Sequence, residues 1–330
     1  MSVGSHFILG FQGPSVPPWL RHFASQFGLG GVILFDYDCQ TKTYENNIQD
    51  PAQLRSLCAE IHSLPGKPLI FIDQEGGKVR RLKDGRGFRP LPSAKTLGAM
   101  TSDERLPLLT AACEEMTDLG IDFDLAPVAD LDINPTSPGL GAAERCVSAD
   151  PEVVQGLVAD FADAARSAGL MLCLKHYPGL GSARVDSHQD LTVVDEPSGD
   201  QLGLFYDLAS VIPGDAILVS HAIVPRWDPE HPATMSPAAL DPLRDRMPDT
   251  LLITDDMQMQ GLLRARSLAE GCAASLAAGM DMVIIGNNLL RCEPEELMAL
   301  ATSLERRRSS DGAFADSLRL SERRVNARKT

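Results

Sequence analysis

The chain has 330 residues and a formal net charge of −15, from 30 Lys and Arg against 45 Asp and Glu. That charge argues against nucleic acid or an anionic membrane as a partner, since both demand a basic face. No run of about 18 apolar residues is present to span a bilayer, and the start Met1-Ser2-Val3-Gly4-Ser5-His6 lacks the charged-then-apolar order of a signal peptide, so a cytoplasmic location is expected. The cysteines at 39, 58, 113, 146, 173, 272 and 292 stand singly, without Cys-x-x-Cys spacing. They suggest neither a disulfide framework nor a thiolate zinc site, and a reducing compartment fits them.

Eight short β-prone runs follow in order: 6–9, 31–35, 69–72, 121–125, 170–174, 216–219, 251–253 and 282–285. Stretches with helical spacing lie between them, among them 51–64, 103–119, 150–168, 201–211 and 267–278. Pro51 and Pro151 occupy first-turn positions behind Asp50 and Asp150, which are expected as N-caps. Eight strand–helix alternations imply a parallel sheet closed into a (β/α)8 barrel. An open doubly wound sheet competes, but the first strand-to-helix turn, Gly10-Phe11-Gln12-Gly13-Pro14, lacks the Gly-x-Gly-x-x-Gly fingerprint. No Gly-, Ser- or Pro-rich linker divides the chain, so residues 1–330 are expected to form one catalytic barrel domain. Arg306-Arg307-Arg308 reads as a solvated helix end.

Three strand ends carry the chemistry. The run 69–72 leads into Asp73-Gln74-Glu75-Gly76-Gly77-Lys78-Val79-Arg80-Arg81, where Asp73 can accept two ligand hydroxyls and Arg81 can return to the same pocket. The run 170–174 leads into Lys175-His176-Tyr177-Pro178-Gly179-Leu180-Gly181-Ser182-Ala183-Arg184-Val185-Asp186-Ser187-His188. Lys175 and His176 suit either hydroxyl binding or a salt-bridged strand cap. Asp186 can orient His188 as a proton shuttle, on a segment to which Gly179, Gly181 and Ser182 give freedom to move. The run 251–253 leads through Thr254 into Asp255-Asp256. Asp255 is a candidate nucleophile or an ordinary helix N-cap, and Asp256 points to the opposite side if the segment is extended. Arg145, in Ala143-Glu144-Arg145-Cys146, carries little signal alone. An alternative is a metal-dependent barrel hydrolase with ligands drawn from His176, His188, His221, Asp186 and Asp255, although the first strand has no His-x-His.

Taken together, these segments resemble the single-domain bacterial β-N-acetylglucosaminidases of glycoside hydrolase family 3. The likeness covers nearly the whole chain and runs through 30–35, 72–77, Leu125-Ala126-Pro127-Val128-Ala129-Asp130, 175–179, 186–188, Pro232-Ala233-Thr234-Met235-Ser236 and 254–257. It implies a (β/α)8 barrel without metal or organic cofactor, acting on small carbohydrates such as N-acetylglucosaminyl muropeptides. Asp255 matches the family nucleophile and His188 the acid/base, oriented by Asp186. Asp73, Arg81, Arg145, Lys175 and His176 match the residues that hold the non-reducing sugar. An acid/base histidine in place of a second carboxylate leaves phosphate, as well as water, admissible as acceptor. Leu180 stands where the family commonly has histidine, Tyr177 replaces a usual phenylalanine, and Cys146-Val147 replaces the commoner Ser-Phe after Arg145.

Overall fold

All eight apolar runs form strands, and the strands pair in chain order. They are β1 (Phe7–Leu9), β2 (Gly31–Leu34), β3 (Leu69–Ile72), β4 (Phe123–Asp124), β5 (Met171–Tyr177), β6 (Ala216–Val219), β7 (Leu251–Asp256) and β8 (Met282–Ile285). Every neighbouring pair is parallel, and β1 pairs with β8 to close the barrel. This is the (β/α)8 architecture expected from the alternation. The computed structural model describes residues 2–137, 139–181, 192–194, 199–212 and 215–329.

Side chains alternate strictly across the barrel wall, as a period of two demands. Ile8, Ile33, Leu69, Phe71, Phe123, Cys173, Ala216, Leu218, Leu251, Ile253, Met282 and Ile284 fill the interior, while Leu9, Val32, Leu34, Ile70, Ile72, Leu172, Leu174, Val219, Leu252 and Val283 face the surrounding helices. Phe71 and Phe123, register partners on the adjacent strands β3 and β4, stack inside the barrel with ring centroids 4.8 Å apart. Gly31 makes room for them, because a Cβ there would lie 2.4 Å from Phe71 Cε2.

Helices Pro51–His62 and Pro151–Ala168 begin as predicted: the Asp50 side chain accepts from the Ala52 and Gln53 N–H groups, and that of Asp150 from Glu152 N–H. Further helices span Pro18–Phe27, Ser102–Leu119, Gly199–Ala209, Pro237–Arg246, Leu268–Ala278, Pro294–Ser310 and Gly312–Asn326. Arg307 and Arg308 sit in the last turn of Pro294–Ser310, as the dipole favours. Among the described residues no helix is long and apolar enough to cross a membrane.

The N-terminal end of the barrel is closed by a buried carboxylate. Asp281, just before β8, accepts from Arg244 Nη2 at 2.9 Å, Arg324 Nε and Nη2 at 2.9 and 2.7 Å, and the Leu252 N–H at 2.9 Å. Arg324 comes from the C-terminal helix, whose Val325 joins the interior cluster. The floor is thereby tied together from three distant segments.

Candidate active site

Continuing the inward alternation one step past the apolar layers reaches Asp73 after Phe71, Lys175 after Cys173 and Asp255 after Ile253. The same periodicity that builds the core therefore delivers three charged side chains to the C-terminal mouth, where barrel enzymes place their chemistry. They line a cavity of about 280 Å³ together with Arg81, Arg145 and His176, walled by Ile33, Phe35, Leu125, Leu140, Leu180, Leu218 and Ile284. Strands β5 and β7 run further than expected, to Tyr177 and Asp256. Lys175 and His176 thus belong to β5 rather than to the loop after it. A register irregularity between Leu174 and Tyr177 accompanies the arrival of both side chains at the cavity, and the peptide between them is cis.

The polar wall is one ionic network. Asp73 accepts from Lys175 Nζ and Arg81 Nη2, each at 2.8 Å. Glu75 takes Arg145 in a fork, Nε and Nη2 both at 2.7 Å, and lies 2.5 Å from Lys175 Nζ. Arg145 also donates to the Gly139 carbonyl, and its Nη2 lies 3.2 Å from His176 Nε2. Asp130 accepts from the backbone N–H of His176 and contacts its Nδ1 at 2.7 Å, fixing the ring from behind. Burial disfavours the charge on Asp73, but Lys175 and Arg81 overcome it and hold its carboxyl well below the usual carboxylate range. Burial opposes Glu75 as well, and Arg145 with Lys175 brings it down to about 2. Lys175 is raised despite burial, by Asp73 and Glu75. Asp73, Glu75, Lys175 and Arg145 are thus held in their charged forms, a set of donors and acceptors suited to hydroxyl and amide groups of a ligand. Behind it Asp124 accepts the Gln74 N–H at 2.9 Å, and burial pushes its carboxyl up to about 8.

Asp255 projects to the cavity, and its Oδ1 accepts the Asp256 N–H at 2.8 Å. Asp256 is anchored toward β8, accepting from Gln258 and Gly286 N–H groups. Both belong to a strand, so the N-cap alternative for Asp255 is excluded; the short helix that follows, Gln260–Ala265, has Met259 at its N-cap position. Asp186 and His188 lie outside the described residues. Gly179 and Gly181 correct the expectation of freedom: a Cβ at Gly179 would lie 2.2 Å from Gln201 Cγ, and one at Gly181 1.9 Å from the Leu131 carbonyl oxygen. These glycines permit close backbone packing. Leu180 is buried with Val128, Leu140, Val194 and Val224 and lines the cavity. Tyr177 faces the helices, donating to the Ala239 carbonyl at 3.0 Å and stacking on Trp227.

Glu75 and Asp130 were missed as site residues. Both lie within segments already singled out, and Glu75 shares its side of an extended chain with Asp73, which was the available signal. The metal alternative loses His221, whose ring nitrogens are engaged by Thr234 Oγ1 and the Asp256 carbonyl. Among the described residues no group of three His, Cys, Asp or Glu is placed to hold an ion.

Residues 19–319 match the glycosyl hydrolase family 3 N terminal domain, and the chain belongs to that family of glycoside hydrolases. A beta-hexosaminidase of Thiobacillus denitrificans is 34% identical over 279 residues, covering 79% of this chain and 72% of that protein. A beta-hexosaminidase of Bordetella avium is 31% identical over 322 residues, covering 91% of this chain and 87% of the relative. A family 3 β-N-acetylglucosaminidase structure from Paenibacillus sp. superposes with a TM-score of 0.85 at 26% identity, over 99% of this chain and 62% of the larger neighbour.

Proposed function

We propose that the chain is a retaining exo-β-N-acetylglucosaminidase, a single catalytic barrel that removes one terminal N-acetylglucosamine from muropeptide-derived sugars in the cytoplasm. The observation that carries this reading is the mouth cavity, whose volume of about 280 Å³ suits one small ligand and whose polar wall joins Asp73, Arg81, Arg145, Lys175 and His176 opposite apolar side chains. The names of the relatives point the same way. All seven cysteines are free, in keeping with a reducing compartment.

In this reading the ionic network holds the sugar and Asp255 acts on its anomeric carbon. A carboxylate oxygen of Asp255 forms a bond to that carbon as the glycosidic C–O bond breaks, and the departing oxygen takes a proton from His188. Water then attacks the glycosyl ester, giving its proton back to His188 and freeing Asp255. The roles of His188 and Asp186 rest on the sequence resemblance.

The test is to trap the enzyme with a 5-fluoro-N-acetylglucosaminyl fluoride and map the modified peptide. Label on Asp255 supports the assignment; label on Asp256 or Asp73, or an inverted product seen by proton NMR, refutes it. Parallel turnover of aryl β-glycosides of N-acetylglucosamine and glucose, with and without phosphate, sets the sugar preference and the acceptor.

A further inference from the structure

The segment Pro232–Ser236 stands out in the sequence, yet none of its residues lines the cavity. Its Thr234 is completely buried, in a single 3-10 turn spanning Ala233–Met235 that is tied to the segment after β6 by the Ala233 N–H donating to the Ala222 carbonyl at 2.8 Å. There Thr234 Oγ1 meets His221 Nδ1 at 2.9 Å, and His221 Nε2 meets the Asp256 carbonyl at 3.2 Å.

The chemistry of the partners assigns the protons. A backbone carbonyl only accepts, so the imidazole donates from Nε2; Nδ1 of the neutral ring is then the acceptor, and the Thr234 hydroxyl donates to it. Burial lowers the His221 pKa, which keeps the ring neutral. The end of β7 is consequently held from both flanks. On the β6 side His221 fixes the Asp256 carbonyl, and on the β8 side the Gly286 N–H fixes the Asp256 carboxylate at 3.2 Å. Asp255 precedes this clamped residue.

We propose that Thr234 and His221 form a hydrogen-bonded relay that positions the Asp255-bearing end of β7, which makes both of them positioning residues for the displacement at the anomeric carbon. The inference rests on the reading of Asp255 as nucleophile given above. It gives the Pro232–Ser236 segment a role that lining the sugar pocket does not.

A pair of conservative variants separates a hydroxyl relay from simple packing. Thr234→Val keeps the volume and loses the hydroxyl; Thr234→Ser keeps the hydroxyl and loses the methyl. The readouts are the rate of labelling of Asp255 by the fluoro sugar, and kcat and KM on 4-nitrophenyl N-acetyl-β-glucosaminide. Thr234→Val is expected to label and turn over roughly tenfold to a hundredfold more slowly with little change in KM, because a displaced nucleophile costs rate rather than binding. Thr234→Ser should stay within about threefold of the wild type. A fast Val variant with a slow Ser variant means packing and overturns the relay, as do equal rates in both. Should either variant fold poorly, the wild type still decides: long-range 15N spectra should show His221 in the Nε2-protonated neutral form, and an Nδ1-protonated ring overturns the relay. Wild-type label at a residue other than Asp255 refutes the nucleophile assignment and the relay with it, whereas label at Asp255 with equal variant rates refutes only the relay.

Discussion

Glu75 offers the sharpest test of the ionic wall, because it lies behind the cavity and reaches a ligand only through the cations it holds. Its side chain is 2% exposed, those of Arg145 and Lys175 12% and 3%. Glu75→Gln keeps an acceptor oxygen but removes the charge, so Arg145 loses its forked carboxylate partner and Lys175 is left with Asp73, which it already shares with Arg81. Removing one partner of a buried ion pair costs about 3–5 kcal/mol, and the retained oxygen argues for the lower end, about 3 kcal/mol. Over 330 residues the unfolding entropy is about 0.7 kcal/mol/K, so that loss should lower Tm by about 4 °C. Arg145 lines the pocket and its Nη2 lies beside His176, so kcat/KM on an aryl N-acetyl-β-glucosaminide should fall by roughly tenfold to a hundredfold. Scanning calorimetry and steady-state kinetics read the two effects. Arg145→Met should cost far less in the Glu75→Gln background than in the wild type, since the pair acts as a unit. A Tm shift under about 1 °C with unchanged kcat/KM, or strict additivity in the cycle, refutes the reasoning.

Asp73→Ala strips Lys175 and Arg81 of a shared acceptor, at about 1–3 kcal/mol per unsatisfied buried group, so turnover should drop by about one to two orders of magnitude; a silent variant would mean that the sugar binds elsewhere. Asp124 titrates near 8 when folded against the ordinary 3.8, so its stabilising contribution is complete below about pH 4 and is lost as pH rises to about 8. Asp124→Asn retains an acceptor for Gln74, and its Tm relative to the wild type should climb from about pH 4 to about pH 8 and then level off; a gap independent of pH contradicts this. Dialysis against EDTA should leave aryl glycosidase activity unchanged, whereas loss restored by added zinc would revive the metal-dependent alternative.

The barrel was legible because its strands are short apolar runs spaced by helices, and each expected run became a strand. The strand ends were harder to read: Lys175, His176, Asp255 and Asp256 are polar, so a hydrophobic criterion stops before them although the hydrogen-bonded ladder does not. Helix Pro294–Ser310 carries Leu297, Leu300, Ala301 and Leu304 at helical spacing and is readable once that period is sought. The ionic network was not readable by pattern. Asp73 and Lys175 are 102 residues apart and Glu75 and Arg145 are 70 apart, so their pairing is a product of barrel closure rather than of local sequence. For Gly179 and Gly181 the missing knowledge was likewise tertiary, namely that the Gln201 side chain and the Leu131 backbone lie against them.

Closure of the barrel floor by Asp281, Arg244 and Arg324 separates two kinds of evolutionary constraint. Among the described residues, the carboxylate that locks the lower rim shares no hydrogen-bond partner with the groups at the upper rim, so a change in one set need not be answered in the other. Loops around the mouth can then change to suit new leaving groups while the foundation holds the strands in register. A designer wanting a hardier catalyst should work from the bottom of the barrel, and one wanting a different substrate from the top.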